Sequence, residues 1–328
     1  MGRGSYTSND WNRLKTDRNI SAQSTVNDLY RSQNMKDQLN PYHVKYRESC
    51  DSMDNPASTA IIIGLDVTGS MGYLSEEIAK NSLNRTMNEI YAKDPVSNPH
   101  IMFMAIGDSK SDEAPLQVTQ FEADIRIAEQ LLDIYFEGHG GGNGGESYLL
   151  AWYFAARHTR IDCYEKRHQK GFLFTIGDEC CHKDLTVGEI TNFFGDISAD
   201  PAKEKNPENL LQRIFGKGDT GVIRDYTSKE LFDEASEKYE IFHIVLKAGA
   251  YEYQHSGAAW KELIGNRAIE LDPKDLDKLP ELLISLMQAA GGKPAREISN
   301  EWPGEVSAVV MEAIHDFLPD GEKGMLNF

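Results

Sequence analysis

An apolar run without alternation, Ala60-Ile-Ile-Ile-Gly-Leu65, ends abruptly in Asp66-Val-Thr68-Gly-Ser70-Met-Gly72. A strand that is apolar on both faces belongs in the middle of a parallel sheet covered by helices on each side. From position 73 the period changes: Leu74, Ile78, Leu83, Met87, Ile90 and Tyr91 fall near 3.6-residue spacing, so a helix follows at once. Asp66, Thr68 and Ser70 are thereby placed in a strand-to-helix loop at the carboxyl edge of a sheet, where open α/β folds bind ligands. One carboxylate and two hydroxyls in so short a loop form a hard-oxygen set suited to Mg²⁺ or Mn²⁺.

The pattern repeats along the chain. Apolar strands are predicted at 100–106, 171–177, 241–246 and 268–271, with a short antiparallel strand at 116–121. Helices are predicted at 122–137, 148–160, 185–194, 208–215, 228–239 (capped by Ser228), 260–264 and 274–287. Alternating strands and helices give a doubly wound, mostly parallel α/β sheet with helices on both faces, Rossmann-like in architecture. Residues 58–290 form that domain. Residues 1–57 are read as an N-terminal extension, mobile in part or packed as an appendix, with some helix at 26–39 and a lead-in edge strand at 41–50. Residues 291–328 are read as a C-terminal appendage.

Three strand ends carry oxygen groups: Asp66, Thr68 and Ser70; Asp108 and Ser109; Asp178 and Glu179. If the strands are neighbours, the groups converge, although Asp108 alone reads as a solvated turn. The loop Gly138-His-Gly-Gly-Gly-Asn143-Gly-Gly-Glu146-Ser147 holds six glycines, implying backbone that turns sharply or approaches something closely. Glu146 or Ser147 then opens a helix whose free N–H groups favour nearby negative charge.

Taken together, Asp66-x-Thr68-x-Ser70, the glycine-rich loop opening a helix, and Asp178 at a strand end resemble the metal-ion-dependent adhesion site of a von Willebrand factor A domain, over roughly residues 58–290. The Gly-Gly-Gly-Asn-Gly-Gly-Glu form and the Gly-Asp-Glu-Cys-Cys-His strand end resemble the branch that accompanies alpha-kinases and occurs in uncharacterised bacterial proteins. The resemblance implies that Asp66 meets a Mg²⁺ ion directly or through water, with Mn²⁺ or Ca²⁺ as alternatives. It also implies that Thr68 and Ser70 ligate the ion and that Asp178 accepts from its waters. Many family members use a second-loop threonine as a ligand; residues 140–147 contain none, which passes that role to Asn143, Ser147 or water.

The function expected on this basis is a non-enzymatic, metal-dependent protein-binding module, an adaptor or scaffold whose ion is completed by a partner's acidic side chain. Composition narrows the alternatives. With 34 Lys plus Arg against 52 Asp plus Glu, the net charge of −18 repels nucleic acid and anionic membrane unless a local basic patch intervenes. The segment 157–170, with five basic residues and two histidines, is such a patch, and it keeps a Ro-like RNA-binding reading open beside that of a solvated helix end. A metal-dependent hydrolase or phosphatase is a further alternative, because an aspartate after a first strand also begins haloacid-dehalogenase-type sites; these place a carboxylate where Thr68 stands. No membrane-length apolar stretch and no signal-peptide core are seen, so a cytoplasmic location is expected. The four cysteines make no disulfide framework, and Cys180-Cys181-His182 lacks the second pair a zinc site would need.

Overall fold

A computed structural model describes residues 4–138, 144–195, 223–247 and 250–319; for Ser70 and residues 250–254 only the backbone is described. Asn143 and the helix expected at 208–215 lie outside the described residues. The strands are β1 (Arg47–Ser49), β2 (Thr59–Asp66), β3 (Pro99–Ile106), β4 (Leu116–Val118), β5 (Thr159–Ile161), β6 (Gly171–Gly177), β7 (Asp184–Leu185), β8 (Tyr226–Thr227), β9 (Tyr239–Leu246) and β10 (Ala268–Leu271). Six of them form one sheet in the order β10-β9-β6-β2-β3-β4, parallel throughout except for β4. The chain winds outward from β2 through β3 and β4, then crosses back to build β6, β9 and β10 on the other side. That reversal beside β2 is the switch point at which doubly wound sheets open a crevice.

β2 is buried along nearly its whole length because each face has its own cover. Ile61, Ile63 and Leu65 join a cluster with the helices Leu83–Lys93 and Leu279–Ala290, while Ala60 and Ile62 face the opposite cluster, built on the helices Tyr148–Arg157 and Ser228–Lys238. The two-residue alternation of a strand thus feeds two cores, which is why no polar residue interrupts the run.

Several boundaries differ from expectation for identifiable reasons. The helix after β2 contains a π-helical turn, Ile78–Ser82, between Gly72–Glu77 and Leu83–Lys93. The helix expected at 122–137 shrinks to Arg126–Leu131, starting only after Asp124 has accepted from the Arg126 N–H. The helix expected at 274–287 begins in α geometry only at Leu279, with Pro280 in its first turn, after a 3₁₀ stretch Pro273–Lys278. Thr227, not Ser228, caps the helix Ser228–Lys238, its hydroxyl accepting from the Glu230 N–H. The lead-in segment does not join the main sheet. Its chain turns at Asn40 to Val44, and only β1 is extended, pairing in parallel with β5.

Of the two expectations for the N-terminal arm, packing is what the described residues show. Trp11, Leu14, Leu29, Tyr30 and Leu39 are buried in the same cluster as Ile61, and Trp302, Val310 and Ile314 join it from the C-terminal side. The arm is also hydrogen-bonded to the helix after β2: Val26 N–H donates to Glu76 and Tyr30 Oη to the Ser75 carbonyl. Among the described residues, no helix is long and apolar enough to cross a membrane. Trp11 is 1% exposed, so Trp11→Ala should lower unfolding free energy by about 3–5 kcal/mol in a urea titration. A loss below about 1 kcal/mol would show that the arm adds little to the core.

Candidate metal centre

The parallel register brings the strand ends together. Asp66 pairs with Ile106 across β2 and β3, and Leu65 with Ile176 across β2 and β6, so the loops carrying Asp66, Asp108 and Asp178 share one sheet edge. Asp66 is fully buried. Its Oδ1 accepts from the Thr68 N–H at 2.9 Å and the Thr68 hydroxyl at 2.6 Å, and its Oδ2 accepts from Tyr148 Oη at 2.8 Å. Burial nevertheless pushes the Asp66 carboxyl up to about 6 against the pull of these three donors. Tyr148 keeps its proton, because burial and then Asp66 raise the phenol well above its usual value.

Gly177, the last residue of β6, makes this contact possible. A Cβ there would stand 1.9 Å from Tyr148 Oη and 2.9 Å from Asp66 Oδ2, so any side chain would drive the phenol off the carboxylate. The loop after β2 and the start of the glycine-rich loop also touch: a Cβ on Gly69 would lie 2.9 Å from the carbonyl oxygen of Gly138, itself at φ +68°.

Asp178 is 6% exposed and follows Gly177 at the same edge. The Tyr73 phenol is raised to about 12 by burial and then by the carboxylates of Asp178 and Asp66. Ser70 lies in the 3₁₀ turn Gly69–Met71. Ser147 is buried, but it is directed to the loop after β3: its Oγ accepts from the Ser109 N–H and its N–H donates to the Gly107 carbonyl.

Three participants were not anticipated in these roles. Tyr148 reads in sequence as the first residue of an apolar helix, and nothing there signals that its oxygen meets Asp66. Glu146 is 4% exposed, and its Oε2 is buried without a hydrogen-bond partner. Burial, then the carboxylates of Asp66, Asp108, Asp112 and Glu179, pushes it up to about 10. Asp108 is no solvated turn but fully buried, with Oδ1 2.7 Å from His182 Nε2 and accepting the Lys110 N–H, and Oδ2 accepting from Ser111. The Asp108-x-Lys110-Ser111 spacing was the available signal, since an aspartate accepting from the backbone two residues on closes its own turn.

The groups acting most strongly on Asp66 and Glu146 are hydroxyls, an amide and other carboxylates. Among the described residues, no three His, Cys, Asp or Glu side chains cluster to hold a metal. The donors to Asp66 are the Thr68 amide and hydroxyl and the Tyr148 hydroxyl, and Glu146 Oε2 adds a buried oxygen without a hydrogen-bond partner. This hard-oxygen chemistry fits a divalent cation such as Mg²⁺. Cys180 and Cys181 are free thiols beside a histidine committed to Asp108. In the basic segment, Arg157 pairs with Glu234, Arg167 with Asp51, Lys166 with Asp162 and Lys170 with Glu240, so most of its charge is already neutralised within the chain.

Protein-family models give no match to this chain, and no curated protein matches it. Among solved structures it is similar to the pilus adhesin SpaC from Lactobacillus rhamnosus GG, at 9% identity and a TM-score of 0.44, over 73% of this chain and 32% of that one. It is also similar to the vWF domain of the type V pili tip protein Mfa5 from Porphyromonas gingivalis, at 11% identity and a TM-score of 0.42, over 71% and 96% of the two chains. A third similar structure is proximal thread matrix protein 1 from the mussel byssus, at 10% identity and a TM-score of 0.36, over 73% and 48%. The chain thus spans 32% of SpaC and 48% of the byssus protein.

Glu146 yields a pH prediction for protein kept in EDTA. Its folded value of about 10 lies above the unfolded value, so its favourable contribution is complete below about pH 4.3 and declines as pH rises toward 10. Between pH 5 and 8, Glu146→Gln should therefore gain at least about 1.4 kcal/mol relative to wild type in urea titrations. A difference that stays flat across that window would show that Glu146 is ionised in the fold.

Proposed function

We propose that this protein is a non-enzymatic, divalent-metal-dependent protein-binding module of the adaptor or scaffold kind. The observation that carries this reading is Asp66: a carboxylate with no solvent exposure at the switch point of a doubly wound sheet, ringed by hydroxyl donors. Asp66, Thr68 and Ser70 on the first loop and Asp178 on the third would hold Mg²⁺, with Mn²⁺ or Ca²⁺ as substitutes, and the second loop, residues 138–147, would complete the protein's share. A hard ion with few charged ligands presents positions that an incoming carboxylate of another protein fills.

The residues themselves prepare the site. Asp66 orients the Thr68 hydroxyl by taking its proton in a hydrogen bond. Burial beneath the loops removes competing water, which strengthens each electrostatic contact. Recognition on these terms breaks no bond and needs no nucleophile.

In thermal unfolding, Mg²⁺ at about a hundred times its dissociation constant should stabilise the wild type by about 2.7 kcal/mol, and Asp66→Ala should remove that gain. Capture of the natural partner from host extract should require Mg²⁺, be lost in EDTA and be lost with Asp66→Ala. Capture that is equal in all three conditions, with the captured protein identified by mass spectrometry, would refute the reading.

A further inference from the structure

Resting on the metal-centre reading above, we infer that Tyr148 supplies the second-loop oxygen of the site, its phenol standing in the role for which the sequence offered Asn143 or Ser147. Ser147 is otherwise engaged: its Oγ accepts from the Ser109 N–H at 2.8 Å and its backbone N–H donates to the Gly107 carbonyl at 3.0 Å. Both contacts hold it to the loop after β3. The next residue reaches Asp66 instead.

The geometry at Asp66 is nearly symmetrical. Thr68 Oγ1 donates to Oδ1 at 2.6 Å, and Tyr148 Oη donates to Oδ2 at 2.8 Å. A hydroxyl has one proton and two acceptor lone pairs. Once its proton is committed to the carboxylate, its lone pairs are turned away from that carboxylate. Asp66 therefore orients two hydroxyl oxygens, one from each loop, and Tyr148 stands to it as Thr68 does. Both are neutral oxygen donors of the kind a hard divalent ion accepts.

The phenol is also fixed in place. The Tyr148 ring packs edge-on against His243 at 4.8 Å and Trp260 at 5.2 Å between centroids. His243 is held by Thr175 at 2.8 Å, and the Trp260 Nε1–H donates to the Glu179 carbonyl at 2.9 Å, tying the third loop to the same aromatic group. Gly177 leaves the space in which Oη sits. A donor oxygen locked by packing and by its own hydrogen bond is what a preorganised ligand requires.

The test uses the full chain stripped with EDTA and titrated with Mn²⁺, free Mn²⁺ being read by electron paramagnetic resonance. Asp66→Asn should abolish saturable binding; Tyr148→Phe should weaken it at least about tenfold, and Ser147→Ala by less than about threefold. Tyr148→Phe binding like wild type, or Ser147→Ala weakening binding as much as Tyr148→Phe, overturns the inference while leaving the metal-centre reading intact. Absence of saturable binding in wild type overturns the reading itself. Should Tyr148→Phe fail to fold, Mg²⁺ added to a Tyr73→Phe variant should still perturb tyrosine absorption in the near ultraviolet. No perturbation at saturation overturns the inference.

Discussion

Placing a carboxylate at the end of a central strand, out of reach of water, costs several kcal/mol unless donors or a cation compensate it. Asp66 is in that position, and much of the surrounding structure can be derived from the requirement to hold it. Thr68 supplies two donors from within the same turn, and Tyr148 supplies the third from the opposite loop. Hydrogen bonds to a charged acceptor each contribute about 1.5–3 kcal/mol, enough to offset part of the desolvation cost. The part left over shows in the upward shift of Asp66, and it is the electrostatic capacity that a bound cation would use.

Holding Tyr148 in turn draws on the sheet and on the helical layer that shares its core. Its ring needs His243 from β9 and Trp260 from the helix Ala250–Ile264, and its oxygen needs the missing side chain of Gly177 on β6. On the other side of the sheet, Phe136 leads into the glycine-rich loop, and its ring lies 6.0 Å from Tyr30 of the N-terminal arm. Asp133, three residues before Phe136, pairs with Arg18 and Lys36 of the same arm, while its carbonyl accepts from Ser32. The arm thereby packs against the segment that leads into the second loop. A segment that is polar by composition earns its place through a few aromatic anchors, Trp11 and Tyr30 above all.

The sheet was legible because its cause is local. The apolar runs at β2 and β3, and those at β6 and β9 interrupted only by Thr175 and by Glu240 and His243, are buried most readily between two helical layers, and the acids that follow β2, β3 and β6 then share an edge. The arm was legible only in part, because the value of an anchor such as Tyr30 depends on partners far along the chain, Ser75 and Phe136. The lead-in strand was misplaced for a similar reason: alternation at 41–50 reports a half-buried surface, but only pairing decides which strand it meets, and β5 rather than the main sheet was available.

Sequence alone determined the doubly wound order of elements and the grouping of Asp66, Thr68, Ser70 and Asp178 at strand ends, because periodicity and loop chemistry are properties of contiguous residues. Tertiary structure alone decided that Asp108 is buried against His182, that Glu146 keeps an unpaired oxygen, and that Tyr148 rather than Ser147 meets Asp66. Each of these depends on where a side chain from one loop ends relative to the backbone of another, at a tolerance of a few tenths of an ångström that no spacing within one segment encodes. The Asp66 to Tyr148 contact spans 82 positions in the chain and hinges on one absent Cβ at Gly177.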